Sequence, residues 1–151
     1  MAGKLKKRGL VAWRAFLTAH ALVLERIDRD LVDAGVLPLT WYDVLYTLYL
    51  GPGRRRRMAD LAQAVLLSRS GLTRLVDRIE KKRLLRREMC PSDRRGAFAV
   101  LTGKGLDALR QTWPVYAHGI QRHFAGPLSE AEVRTLARSL ARLAQSDDHA
   151  S

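Results

Sequence analysis

Arg69, Ser70, Thr73, Arg74 and Arg78 are spaced so that a helix over residues 68–82 carries them on one side, opposite Leu72, Leu75, Val76 and Ile79. Guanidinium groups pair with guanine edges or phosphates, and hydroxyls suit either, so this face offers recognition of a polyanion rather than bond making. Ser68, read as the helix N-cap, leaves backbone amides aimed toward a phosphate. Further on, Asp93-Arg94-Arg95 is the tip of a short turn. There Asp93 can orient one arginine and leave the other free for a minor groove, whose negative potential favours Arg. Taken singly, the helix face is a solvated basic surface and the tip a solvated turn; in succession they favour DNA. Charge agrees: from Arg54 to Arg95, 14 Lys/Arg stand against 5 Asp/Glu, nine of the chain's net +12.

Bond-making chemistry finds no comparable arrangement. There is no phosphate-binding glycine loop, no zinc-protease helix motif and no nucleophile spaced with a base, so neither an enzyme nor a cofactor is expected. His118 and His123 are five apart, not the three or four that stacks two ligands on one helical face, and no metal is expected. The single Cys90 excludes an internal disulfide. Arg86, Arg87, Arg94 and Arg95 around it favour its thiolate, but no second cysteine is there to resolve an oxidised one.

The elements that position these residues follow from periodicity. In 151 residues, 47% hydrophobic, one domain's core can form, and charges interrupt every apolar run before it reaches a membrane span. Lys4 to Arg8 is basic like the start of a secretory signal, yet Arg14, His20, Glu25 and Arg26 break the core that would follow, and a cytoplasmic protein is expected. Leu10, Trp13, Leu17, His20, Leu24, Ile27 and Leu31 alternate by three and four, the stripe of a helix against another helix or another subunit. Gly35 and Pro38 end that helix, and Thr40 with Asp43 reads as a variant capping box for a second, Trp41–Leu50, apolar nearly all round. Met58–Val65 and the basic helix form a helix-turn-helix, and Leu84–Met89 with Ala97–Leu101 a β-hairpin. Thr102 caps a long helix in which Pro114 is expected to cause a kink or split, and Ser129-x-x-Glu132 caps a last helix striped by Val133, Leu136, Leu140 and Leu143.

The fold expected is mainly α with a small β-hairpin wing: a winged helix-turn-helix with flanking dimerisation helices. Residues 1–36 and 113–151 are assigned to dimerisation and 37–112 to DNA binding. The outer helices carry apolar stripes around a compact winged module, so they are expected to pack on their counterparts in a second copy. Two-fold symmetry would then space two recognition helices for a pseudo-palindromic operator in double-stranded DNA.

A cluster of aromatic residues completes the candidates. Trp13, Phe16 and His20 on the first helix and Trp41, Tyr42, Tyr46 and Tyr49 on the second are either closed core or the walls of a pocket for a small aromatic anion. His20 reads in the same two ways, as a hydrogen-bonded core histidine or a ligand contact.

The segment Ser68-Arg69-Ser70-Gly71-Leu72-Thr73-Arg74-Leu75-Val76-Asp77-Arg78-Ile79-Glu80 carries a resemblance. With Asp93-Arg94-Arg95-Gly96-Ala97, Leu101-Thr102-Gly103-Lys104-Gly105, Trp41 with Leu45 and Leu48, and Leu128-Ser129-Glu130, it resembles the MarR family of winged-helix transcription regulators over roughly Leu10 to Leu143. The resemblance implies an obligate dimer on a palindromic operator, intertwined first and last helices, Arg95 in the minor groove and frequent response to small phenolic or other aromatic anions. A non-sequence-specific architectural DNA-binding protein is the alternative. One departure stands out: the family usually has Lys-Gly-Leu after the recognition helix, and this chain has Lys82-Arg83-Leu84. A left-handed Arg83 would cost roughly 1 kcal/mol relative to Gly.

Overall fold

A computed structural model describes residues 4–67, 69–90 and 93–145, and for residues 90 and 93–95 the backbone alone. Among the described residues, six helices and a small sheet follow in the order α1 (Lys7–Asp33), α2 (Leu39–Tyr49), a 3-10 turn (Pro52–Arg54), β1 (Arg55–Arg57), α3 (Met58–Ala64), α4 (Leu72–Lys81), β2 (Leu85–Cys90), β3 (Asp93–Leu101), α5 (Gly103–Ile120), a π turn (Gln121–Ala125) and α6 (Glu130–Gln145). The chain is mainly α with a winged helix-turn-helix, as expected. Its wing sheet has three strands rather than two, antiparallel in the order β1-β3-β2, with Arg55 opposite Val100 and Arg57 opposite Phe98. β2 runs from Leu85↔Leu101 to Met89↔Ala97, then shifts register so that Cys90 faces Asp93.

Two compact units divide the chain. One runs from Ile27 to Tyr116; the other combines the preceding part of α1 with the chain from Ala117 onward. In the first, Leu45 and Leu48 of α2, Leu61 and Val65 around α3, Leu75, Val76 and Ile79 of α4, and Leu85, Ala99 and Leu101 of the sheet close one core with Leu109 of α5. Burying each leucine or isoleucine is worth about 1.5–3 kcal/mol, and this core fixes α4 against the wing. In the second unit the apolar stripe stands open in the single chain: Leu10 is 45% exposed, Leu17 45%, Leu143 70%. Further along α1, Ile27 and Leu31 are buried.

Local signals set most helix ends. α1 stops in a Schellman motif, in which Gly35, at φ 70°, donates to the Val32 carbonyl and Val36 to that of Leu31. Ser129 and Glu132 close the expected capping box on α6, and Thr102 Oγ1 accepts from Gly105 N at 3.0 Å to cap α5. The Thr40–Asp43 box does not form. α2 begins at Leu39, whose amide donates to Asp28 Oδ1 of α1 at 2.8 Å, and Asp43 is engaged elsewhere. Pro114 does not split α5, which continues to Ile120 and into the π turn. Proline costs a helix one N–H and a steric adjustment, and the rest of α5 carries it through.

α4 ends in a second Schellman motif: Arg83 N donates to the Glu80 carbonyl at 2.8 Å, Leu84 N to the Ile79 carbonyl, and Arg83 takes φ 61°. The position usually given to glycine is therefore left-handed with arginine in it. Thr102 Oγ1 donates to the Arg83 carbonyl at 2.7 Å, which ties this turn to the start of α5. Arg83→Gly is expected to stabilise the protein by about 1 kcal/mol, measured by denaturant unfolding. An unchanged or lowered midpoint would show that the Arg83 side chain offsets its own strain.

Candidate nucleic-acid interface and effector cavity

α4 is strongly two-sided. Leu72, Leu75, Val76 and Ile79 are buried while Thr73, Arg74, Arg78 and Lys81 are exposed, the division expected of residues three and four apart. The helix starts later than expected. Gly71, at φ 72°, occupies the N-cap in the left-handed region, so the cap does not fall on Ser68, which lies outside the described residues. Arg69 and Ser70 consequently sit, exposed, in the turn ahead of the helix rather than on its outer face. Arg74 borders two depressions: one with Arg69, Thr73, Met58 and Ala62, the other with Ser70, Arg78, Lys81 and Thr40.

The acidic residues of α4 do not neutralise this face. Arg87 of β2 donates to Asp77 Oδ1 at 2.5 Å and approaches Glu80 Oε1 at 3.5 Å, and its own amide donates to Glu80 Oε2 at 2.8 Å. Among the described residues, Arg69, Arg74 and Arg78 pair with no acidic side chain. Arg87 thus fastens the wing to α4, and the outward arginines remain available to a polyanion. Sequence reasoning placed Arg87 in the basic window and beside Cys90, not against α4.

The wing carries its own charge lattice. Arg55 Nη2 donates to Glu88 Oε2 at 2.6 Å and Arg86 Nη2 to Glu88 Oε1 at 2.8 Å. The Arg86 hydrogen bond first, then the Arg55 charge, holds the Glu88 carboxyl below the usual range despite some desolvation. Arg55 and Arg57 both lie over the Phe98 ring, 4.6 and 5.4 Å from its centroid. Asp93, Arg94 and Arg95 begin β3, but their side chains, and the expected orientation of an arginine by Asp93, lie outside the described residues.

The turn leading toward α4 is held from α2. Asp43 Oδ2 accepts from both the Leu66 and Leu67 amides at 2.9 Å, satisfying two backbone N–H groups of the turn after α3. A capping role for Asp43 on its own helix was the local reading; the donors it accepts from lie more than twenty residues away.

The aromatic candidates separate into three places. Tyr42 and Tyr46 line a cavity of about 400 Å³ with Tyr49, Arg54, Leu106, Leu109, Arg110 and Trp113. The Tyr42, Tyr46 and Tyr49 rings stack in series at 5.7 and 6.0 Å, and Tyr116 meets Tyr42 edge-on at 5.0 Å. Burial, then the neighbouring Tyr46 and Tyr116, pushes the Tyr42 hydroxyl up to about 12; Tyr116 is raised by burial and by the Asp43 carboxylate. Both phenols are protonated at neutral pH, as an ordinary tyrosine is, and Tyr42, which lines the cavity, can donate to an anion there. Trp41 lines a different depression, with Leu37, Pro38, Lys82, Leu84 and Lys104. Along α1, Trp13 stacks on Phe16 at 6.0 Å and His20 lies tilted to Phe16 at 6.1 Å, and all three are exposed. Arg54, Arg110 and Trp113 were missed as cavity residues; the signal lay in Leu106, Leu109, Arg110 and Trp113 recurring by three and four. No group of three or more potential metal ligands occurs among the described residues. No helix among them is long and apolar enough to cross a membrane.

Comparison with known proteins places this architecture. A family model described as MarR family matches residues 37–96. The HTH-type transcriptional regulator MhqR of Bacillus subtilis (strain 168) is 35% identical over 125 residues, 83% of each chain. The HTH-type regulator YkoM of the same organism is 33% identical over 121 residues, 80% of this chain and 76% of that one. Among solved structures, Sco3205, a MarR family transcriptional regulator from Streptomyces coelicolor in complex with DNA, superposes with a TM-score of 0.86 at 32% identity, covering 98% of this chain and 92% of that chain.

Proposed function

Because this chain belongs to the MarR family of transcriptional regulators, whose members here are DNA-binding proteins and not enzymes, we propose that it is a homodimeric repressor of a pseudo-palindromic operator, released by a small aromatic anion. The observation that carries the DNA part is the unneutralised face of Arg69, Thr73, Arg74 and Arg78, left positive because Arg87 occupies Asp77 and Glu80. Ser68, Ser70, Arg94 and Arg95 complete the proposed contacts, with Asp93 orienting the wing arginines. Residues 37–112 would bind DNA; the open stripes within 1–36 and 113–151 would close on the second copy. Such a regulator would work in the cytoplasm, on the nucleoid when operator-bound.

Operator binding is expected to be steeply salt-dependent. Each phosphate neutralised contributes about 0.9 to the log–log slope, so six to ten contacts would lower affinity about 10³- to 10⁵-fold between 50 and 200 mM salt. Fluorescence anisotropy on a genomically selected fragment against random competitor measures this. A flat salt response counts against DNA binding, and equal competition by random sequence counts for an architectural role.

The effector part rests on the Tyr42–Trp113 cavity. Its aromatic walls can bury a ring, two guanidinium groups supply charge, and the protonated Tyr42 hydroxyl supplies a donor. Trp13, Phe16, His20 and Trp41 remain candidate contacts by family resemblance, in the assembled dimer. Binding would act by population shift, favouring the dimer whose recognition helices are spaced wrongly for the operator. Salicylate titrated into the protein is expected to quench Trp113 and release operator, and Arg110→Ala should weaken that binding. Absence of any salicylate-dependent change with related phenolic acids also inert would remove the effector from the proposal.

A further inference from the structure

Arg54 belongs to the cavity and to the wing at once. Its side chain lines the cavity, with the guanidinium carbon 5.8 Å from the Tyr49 ring centroid. Its backbone is the last residue of the turn before β1, and it stands with Gly53 in two consecutive left-handed conformations, φ 65° and 56°. Arginine is disfavoured there, since its Cβ crowds the backbone, so the conformation persists only under external hold. The hold on the chain is visible: Arg54 N donates to the Gly51 carbonyl at 2.9 Å, and the guanidinium rests on Tyr49.

The next three residues are β1, bound on both sides. Its backbone pairs with Phe98, Ala99 and Val100 of β3, and Arg55 joins Glu88 of β2. On the other side, Arg56 Nε donates to the Thr47 carbonyl of α2 at 2.8 Å. Arg57 closes the strand as the N-cap position of α3, the first helix of the helix-turn-helix. A change in the turn at Arg54 therefore reaches the wing strands and α3 through covalent neighbours and sheet pairing, without crossing solvent.

We propose that Arg54 is the residue through which occupancy of the cavity is transmitted to the wing. An anion seated against Trp113 and Tyr46 competes with Tyr49 for the guanidinium; drawing it inward resets the left-handed turn and shifts β1 against β3. This rests on the effector reading of the same cavity. Arg110, which lines the cavity from α5 and is not followed by a wing strand, would supply affinity without transmission.

Arg54→Gly separates the two roles, because glycine keeps the left-handed backbone and removes the guanidinium. Operator affinity is measured with and without salicylate, at concentrations that calorimetry shows to saturate each variant. The parent and Arg110→Ala are expected to lose about tenfold or more in operator affinity on saturation, and Arg54→Gly less than about twofold. Full release in saturated Arg54→Gly overturns the proposal. A second arm needs no ligand: amide exchange at residues 55–57 and 98–100 is expected to quicken about tenfold in ligand-free Arg54→Gly. Unchanged exchange there overturns the mechanical link even where salicylate acts. Failure of the parent to bind salicylate, with quickened exchange in the variant, discards the effector reading and leaves Arg54 as a structural anchor of β1, which also overturns transmission.

Discussion

Arg74→Ala is expected to weaken operator binding by about 1–3 kcal/mol in each half-site, or roughly 30-fold to 20,000-fold when both half-sites of a dimer lose the contact. The size follows from its position: Arg74 is exposed near the start of α4 and borders both depressions on that face. Among the described residues no acidic side chain pairs with it, since Asp77, on the same depression, is held by Arg87. If its guanidinium reads a base edge, selected sequences should lose preference at the base pair it faces. Arg95→Ala is expected to behave differently, lowering affinity with little change in major-groove preference, because a minor groove distinguishes bases poorly. Anisotropy titrations and repeated sequence selection with each variant measure the two effects. Parent-like binding by both would place the DNA surface elsewhere on the molecule.

Removing residues 129–151 is expected to abolish a soluble, operator-binding dimer. The deletion takes away α6 and the stripe of Val133, Leu136, Leu140 and Leu143, leaving open to water the apolar surface that it would cover in the proposed dimer. Leu10, Trp13 and Leu17 of α1 already stand about half exposed in the single chain, so a further loss of cover favours aggregation or unfolding over a clean monomer. Size-exclusion chromatography, circular dichroism and operator titration report the outcome. A folded monomer that still bound a full palindrome tightly would contradict the shared helical assembly.

Both results bear on a division of labour within the chain. The proposed DNA-facing side chains lie on an α4 clamped by core packing inside and by Arg87 at its flank. The proposed assembly surfaces lie on α1 and α6, where few apolar side chains are satisfied within one chain. Substitutions on the α4 face are therefore expected to leave assembly measurable, whereas loss of the assembly is expected to take operator binding with it.

Features governed by neighbours within about four residues were legible in the sequence. The stop at Gly35, the Thr102 cap, the Ser129–Glu132 box and the two-sided character of α4 each depend on hydrogen bonds or side-chain periodicity inside a single turn or helix. The gathering of positive charge is likewise a property of the string itself. Tertiary structure decided the rest. Arg55–Arg57 shows no alternation of apolar and polar residues, and it becomes a strand only because β3 offers an unpaired edge and Phe98 a surface for two guanidinium groups. Asp43 faces a choice between its own helix and two amides across the turn, and chain packing brings the distant pair within reach. The same holds for Arg54, which stands far in sequence from Arg110 and Trp113 and lines one cavity with them because α2 and α5 pack on a common core. Local hydrogen bonds and periodicity act at fixed short separations that a sequence displays, whereas long-range ion pairs, strand edges and cavity walls exist only after the core has set which surfaces meet.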